Sequence, residues 1–341
     1  MFTNYHLISS VLTTNHSMVA WSPVPDEEIR DNLEHFFSMG KYKDAAQYCD
    51  IHLSQIQNDN NIHLENQVLH AKALMYVMDI ESANQKYEEV LRTLLGKGLK
   101  TEESKRLFGL IVNNIGYQVC FYNVSGKPDN YTMACQLFSK SLEFFDCEAD
   151  EYATSLDNLA RAYAKLGEEM NAEIFANDAL IIRSVSPDID SRRTLLSQIS
   201  LANIEFDLQK YDKAYAWANK AIQASTDEYP RGKALAHTIY GKVLAEQARY
   251  YAADVDYAKQ KLESAQVSLR QAKEILENVV QEPFRSQEVD SSIKKVEVIA
   301  GAIYSNHKLN LPNHSNNGFK SKKIPTYFDT NRYEWLVNFQ P

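Results

Sequence analysis

The chain has 341 residues, of which 44% are hydrophobic and 24% charged, a composition typical of a soluble folded protein rather than a disordered one. Its 11 glycines and 9 prolines are few for this length, which disfavours an all-β fold with many turns and favours helices. The net charge of −9 argues against a nucleic-acid partner, because only Lys320, Lys322 and Lys323 form a short basic cluster.

Residues 1–25 are polar and irregular, and Pro23 and Pro25 precede the first predicted helix. We expect an N-terminal arm over this range. The segment lacks the basic start and apolar run of a signal peptide, and no stretch of the chain is apolar over the length of a membrane span. We therefore expect a cytoplasmic protein without a membrane partner, with export by a specialised secretion system as the alternative.

One pattern recurs along the chain: an alanine followed four and seven residues later by small or apolar residues. These offsets lie on one face of an α-helix, where small side chains let a second helix approach closely. The six copies begin at Ala45, Ala83, Ala134, Ala172, Ala214 and Ala265.

A second signature precedes the first. A small residue lies twelve positions before the alanine in three copies, at Ala71, Ala160 and Ala202, and Leu33 holds this offset in the first copy. Gly116 and Gly241 hold it in the third and sixth copies if those copies contain insertions. The pattern predicts a pair of packed helices in each copy.

The arrangement resembles the tetratricopeptide repeat, a 34-residue helix-turn-helix with small residues at these places in its two helices. The resemblance extends over residues 26–280, and Gly40, Gly167 and Tyr211 stand where that family has its Gly-x-Tyr turn. Pro187 and Pro230 fall between copies. The copies are spaced by 38 to 51 residues and lack the family's tryptophan, so linkers or helices must be longer. The resemblance implies an all-α, right-handed solenoid of about six helical hairpins.

The sixth copy contains neither glycine nor proline after Gly241, so we expect two long helices, or one with a weak break near Asp254–Asp256. A final helix up to residue 308 should cap the solenoid at the end of a domain spanning 26–308. Residues 309–341 form a linker and an aromatic tail. We expect the tail to dock on the last helices, with the alternative that it is a linear motif for this protein's own groove or for a partner.

In the resembled family, ligands contact first-helix residues just before and just after the central small residue. Two of those positions are asparagines, Asn114 in VNNIGY and Asn158 in LDNLARAY. Both segments are similar to a motif of kinesin light chains. An asparagine amide can pair with a peptide N–H and C=O at once, and lysine or arginine can hold a carboxylate. The candidate binding residues are Lys72, Asn113, Asn114, Tyr117, Asn158, Arg161, Asn203 and Lys242. The alternative is that the asparagines bond to neighbouring helices and fix the geometry between repeats.

We find no catalytic motif, and the histidines His35, His52, His63 and His70 lack acidic or thiol neighbours at metal-ligand spacing. The four cysteines form no Cys-x-x-Cys pair, so we expect reduced thiols and neither a metal nor a cofactor. The sequence therefore favours a non-enzymatic adaptor or scaffold that binds a protein or peptide in its concave groove, with self-association possible. The alternative is a partner-sensing regulator that its own C-terminal tail autoinhibits.

Overall fold

The computed structural model describes residues 24–53, 60–122, 127–186, 190–305 and 330–340. Every regular element within these ranges is helical, as predicted, and no strand occurs among them. The first six helices are α1 Asp26–Met39, α2 Tyr42–His52, α3 Asn61–Tyr76, α4 Ile80–Lys97, α5 Glu102–Tyr117 and α6 Pro128–Leu142. The next seven are α7 Asp150–Leu166, α8 Glu169–Val185, α9 Ser191–Asp207, α10 Tyr211–Ala224, α11 Pro230–Tyr250, α12 Val255–Asn278 and α13 Pro283–Tyr304. A short helix, α14 Glu334–Val337, lies in the C-terminal tail.

From α1 to α13 each helix packs on the next one along the chain, and the odd-numbered helices from α1 to α11 also pack on one another in a continuous row. The even-numbered helices from α2 to α12 make far less contact among themselves in the described ranges. A stack of hairpins curves toward its more closely packed layer, so the odd-numbered helices line the concave side. The chain is an α-solenoid, as the repeat pattern predicts.

Small residues stand where paired helices come closest. The six repeat alanines are fully buried, as are Leu33, Ala71, Ala160 and Ala202 in the preceding helices. At Gly241, an added Cβ would lie 2.6 Å from the side chain of Leu269, and at Gly116 it would lie 2.9 Å from the Phe138 ring. Non-bonded carbon atoms do not approach so closely, so only glycine fits at these two helix crossings. The predicted packing role of both signatures is confirmed.

The turns follow the sequence signals closely. Gly40 and Gly167 end α1 and α7 in the left-handed conformation, with φ of 72° and 78°. Thr101 and Ser104 form a reciprocal capping box at the start of α5, and Pro230 is the first residue of α11. Pro187 lies outside the described residues.

Two repeats are longer than the others, and for different reasons. In the third, α5 runs on into a π-helical segment over Gln118–Tyr122, which accounts for part of the predicted insertion. In the sixth, α11 has 21 residues and α12 has 24, and residues 251–254 separate them. Of the two arrangements expected for this repeat, the structure has the pair of long helices.

Helix α13 and the C-terminal tail pack on different parts of the solenoid. Helix α13 packs on α12 and α11 through buried Val289, Val296 and Ile299, which confirms its capping role. The described part of the tail, residues 330–340, does not dock on these last helices. Instead α14 packs on α6, with Tyr333 and Leu336 fully buried, so the expected position of the tail was wrong. Burial of Tyr333 and Leu336 favours this position, and Arg332 pairs there with Glu81 and Glu88 of α4.

Candidate partner-binding surface

The two ends of the solenoid are joined by the connection between α12 and α13, and we call this contact the seam. The backbone N–H of Gln281 donates to the carbonyl of Gly40 at 2.9 Å. Its side-chain oxygen accepts from the backbone N–H groups of Lys43 and Asp44 at 3.1 and 3.2 Å. These amides begin α2 and have no partner inside that helix, so Gln281 caps it from more than 230 residues away. The solenoid is therefore closed on itself.

Steric fit at the seam depends on Gly40. An added Cβ at this residue would lie 2.9 Å from Cγ1 of Val280, and its backbone already has a positive φ. The side chain of Val280 is fully buried. Both the backbone conformation and the space around it therefore require glycine.

A buried ion pair completes the seam. Arg231 on α11 donates two hydrogen bonds to the carboxylate of Glu282, at 2.9 and 3.2 Å. Its guanidinium also lies 5.1 Å from the ring centroid of Tyr76, which stacks on Tyr42 at 4.2 Å. Burial raises the pKa of the Tyr42 phenol well above its ordinary value, so both rings stay neutral beside the arginine. The pairing and the stacking together compensate the cost of burying the charges.

A second group of charges lies beside this pair, and it contains two of the candidate residues. Arg285 donates to the hydroxyl of Tyr117 at 3.0 Å and to Glu288 at 2.7 Å. Lys242 donates to the same Glu288 at 3.0 Å. Burial alone would raise the pKa of the Glu288 carboxyl, but Lys242 and Arg285 hold it well below its usual range. Tyr117 and Lys242 thus face the concave side but already have partners within the chain.

The candidate asparagines of the middle repeats are mostly buried. Asn158 donates to the side-chain oxygen of Asn113 at 3.1 Å, which joins α7 to α5. Asn113, Asn114 and Asn158 are each 6–7% exposed, whereas Asn203 is partly exposed and donates to the carbonyl of Ile199 in its own helix. These contacts match the alternative interpretation, in which asparagines bond between helices.

Lys72 and Arg161 differ from two other cations of the odd-numbered helices, Arg106 and Lys165. Arg106 pairs with three glutamates, and Lys165 pairs with Asp207. By contrast, neither Lys72 nor Arg161 has an ion pair with any residue that the structure describes. Each side chain is partly exposed and lies over an aromatic ring. The Lys72 nitrogen is 5.5 Å from the Phe37 centroid, and the Arg161 guanidinium is 3.9 Å from that of Phe121.

The electrostatic surroundings of Lys72 favour an anion. Burial and the positive charges of Arg193 and Arg231 together lower the pKa of Lys72 to about 8, while Asp150 and Glu151 act in the opposite direction. An anion placed beside Lys72 would raise that pKa and gain Coulomb energy from the lysine. The candidate residues thus divide into partnered groups and two cations that remain available. Contact of any of the eight with a partner stays a prediction.

Sequence reasoning missed the seam. Gln281, Glu282 and Arg285 lie just outside the repeat pattern, and their contacts reach helices near the other end of the chain. The only local sequence signal at the seam is the predicted helix break before Pro283. Such a break indicates a turn and does not reveal a long-range contact.

The histidines of α3 are bonded to carboxylates. The histidines His63 and His70 pair with Asp26 and Asp50, at 3.0 and 3.3 Å. No cluster of three potential ligands occurs among the described residues. Within those same ranges, no helix combines the length and the apolar character that crossing a bilayer requires.

Comparison with known proteins gives structural likeness alone. No protein-family model matches the chain, and no curated protein matches it. The apo form of RapI is 17% identical over 82% of this chain and 75% of that one, with a TM-score of 0.45. BtubC from P. vanneervenii is 15% identical over 88% and 100% of the two chains, with a TM-score of 0.40. Aspartyl phosphate phosphatase F from Bacillus subtilis is 19% identical over 86% and 80%, with a TM-score of 0.39. At these values the fold assignment rests on the helices of this chain itself.

Proposed function

We propose that this chain is a non-enzymatic binding protein that holds an acidic segment of another protein on the concave side of its solenoid. The observation that carries the proposal is the pair of unpartnered cations, Lys72 and Arg161, in a row where the neighbouring charges are neutralised. A carboxylate of the guest, from a side chain or the chain end, would supply the missing partner.

The positions of the two cations fit an extended guest. Lys72 directly follows the central small residue of α3, and Arg161 directly follows that of α7. Helix α5 lies between them, and the partly exposed ring of Tyr117 occupies the same position there. A segment that crosses these three helices would therefore meet a cation, an aromatic ring and a second cation in turn.

Catalysis by the three buried cysteines is disfavoured on chemical grounds. Burial raises the pKa of Cys120 and of Cys135 to about 12, and it raises that of Cys49 further. A thiol with such a pKa is protonated at neutral pH and is a poor nucleophile. Cys49, three residues before His52 on α2, is therefore not an activated thiolate.

The test is affinity capture with the full chain, comparing wild type with a Lys72→Ala/Arg161→Ala variant. We expect the variant to lose the partner proteins that the wild type retains. The matched control is Lys220→Ala, because Lys220 also lies over an aromatic ring, 4.2 Å from Trp217, but belongs to the even-numbered helix α10. An unchanged set of partners on the folded double variant would contradict the proposal.

A further inference from the structure

The C-terminal tail occupies a groove on the outside of the solenoid, between α4 and α6, which we call the tail groove. Tyr333 and Leu336 are 1% and 0% exposed, so both side chains enter the core. Phe339 lies 4.9 Å from the ring of Phe108, and Arg332 pairs with Glu88 of α4. The groove thus recognises four side chains of the tail. They are the basic Arg332, the aromatic Tyr333, the aliphatic Leu336 and the aromatic Phe339.

The groove exists because the second and third repeats meet loosely. Helices α4 and α5 are in less contact than the corresponding pairs at the other repeat junctions. The ring of Phe108 points into this gap and packs on Phe144 at 4.8 Å. Without a guest, apolar surface of the third repeat would face water at this place, which is unfavourable.

The tail is held by its side chains rather than by stable secondary structure. Helix α14 has four residues, too few to be stable alone in water. Residues 306–329, which connect it to α13, lie outside the described residues. Because recognition rests on a few side chains, a segment of another chain with the same side chains can compete for the groove. Covalent attachment favours the tail through an effective concentration that is on the order of millimolar for short flexible linkers.

The tail does not fill the space available to a guest. Val337 borders a surface cavity of about 450 Å³ that continues between α6 and α7, with Cys135, Tyr163 and Leu166 among its lining residues. Trp335 remains 43% exposed. Glu81 and Glu88 flank one end of the groove, and Glu143 and Glu168 line the cavity together with one cation, Lys140, which pairs with Glu143. This charge distribution is complementary to a basic guest.

We propose that the tail groove is a second docking site, for a short basic and aromatic helix of a partner protein, and that residues 332–339 occupy it until such a helix displaces them. This site is separate from the concave surface and does not depend on the function proposed for that surface. The guest differs from the tail in carrying a larger apolar residue where the tail has Val337, since the cavity lies there.

The test uses the full-length protein and a fluorescently labelled peptide of residues 330–341, with binding measured by anisotropy. Two variants free the groove: Tyr333→Ala/Leu336→Ala, which removes the buried anchors, and Arg332→Glu, which repels Glu81 and Glu88 but leaves no cavity. We expect both variants to bind the peptide at least tenfold more tightly than wild type does. If the first variant fails to fold, the second one decides the result.

Two further arms make the proposal specific. A peptide with Tyr333→Ala and Leu336→Ala should not bind, and a peptide with Val337→Leu should bind more tightly than the native one because it reaches the cavity. The proposal would be overturned if the folded variants took up no more peptide than wild type. It would equally be overturned if the leucine peptide bound no better, since the groove would then be fitted to the tail alone.

Discussion

The middle repeats and the seam hold the same solenoid together over different distances along the chain. In the middle, α7 to α10 pack through small side chains at zero exposure, such as Ala160 and Ala218, and the buried Arg183 of α8 pairs with Asp150 and Asp157 of the adjacent α7. At the seam, stacked rings surround a buried arginine and a buried glutamate. Packing between small apolar side chains needs no specific partner, but a polar substitution there is unfavourable. The seam depends on exact pairing, because a buried charge without its counterion is strongly unfavourable.

Closure of the solenoid therefore depends on a few specific long-range contacts, whereas stacking of adjacent helices does not. Each alanine contact joins elements that are close in sequence, and it forms whenever its hairpin forms. The seam joins residues more than 230 positions apart, so its chain-entropy cost must be met by a few specific bonds. Changes at the two places should therefore have distinguishable effects.

The largest effect is expected at the buried ion pair. Glu282→Ala leaves the guanidinium of Arg231 buried without a carboxylate, which should cost about 3–5 kcal/mol of stability. Chemical denaturation measures this loss, and small-angle scattering should show a larger radius of gyration as the seam opens. Glu263→Ala, at an exposed position of α12, is the matched control. A double variant, Arg231→Met/Glu282→Leu, should recover most of the loss; no recovery would mean that the unpaired charge is not the cause.

The next effect tests the middle repeats. Ala218→Leu adds three carbon atoms at a fully buried contact between α10 and its neighbours. Overpacking of this kind typically costs about 1–3 kcal/mol. Because the change is remote from the seam, the radius of gyration should stay at the wild-type value while the denaturation midpoint falls. An expanded molecule would show that stacking and closure are coupled after all.

A smaller effect is expected from the cap on α2. Gln281→Ala removes the side-chain oxygen that accepts from Lys43 and Asp44, and loss of a helix cap costs about 0.5–2 kcal/mol. The backbone bond from residue 281 to Gly40 is retained. Gln260→Ala, on the exposed side of α12, should change stability little when both are measured by thermal unfolding. Equal effects of the two substitutions would deny Gln281 a capping role.

The last effect concerns Lys72 and depends on pH. Its folded-state pKa is about 8, whereas an unfolded lysine titrates at about 10.4. Between these values the unfolded chain binds more protons, so the stability contributed at this site rises as pH increases through the window. Relative to a Lys72→Met variant, wild type should therefore gain stability from pH about 8 to about 10. Binding of an acidic guest should weaken over the same range. A constant difference between the two proteins would contradict the perturbed pKa.

Sequence predicted the local half of this molecule well. The alanine and glycine positions, the turns at Gly40 and Gly167 and the break in the sixth repeat all follow from spacing along one helix or between adjacent ones. It also placed the candidate residues on the concave row. It could not predict which of them have partners, because the partner of Tyr117 is Arg285 and that contact spans 168 residues. The position of the tail could not be predicted for the same reason, since Arg332 and Phe339 contact α4 and α5 rather than helices close in sequence.

The bond between Gln281 and Gly40 also bears on how the protein opens. In a linear array of repeats, the terminal units have one neighbour each and fray before the centre does. Here the first hairpin has a neighbour on both sides. Its amide hydrogens should therefore exchange with solvent about as slowly as those of α7 and α9, and breaking the seam should accelerate exchange in α1 and α2 first. A ring of this kind converts graded fraying into a single cooperative event.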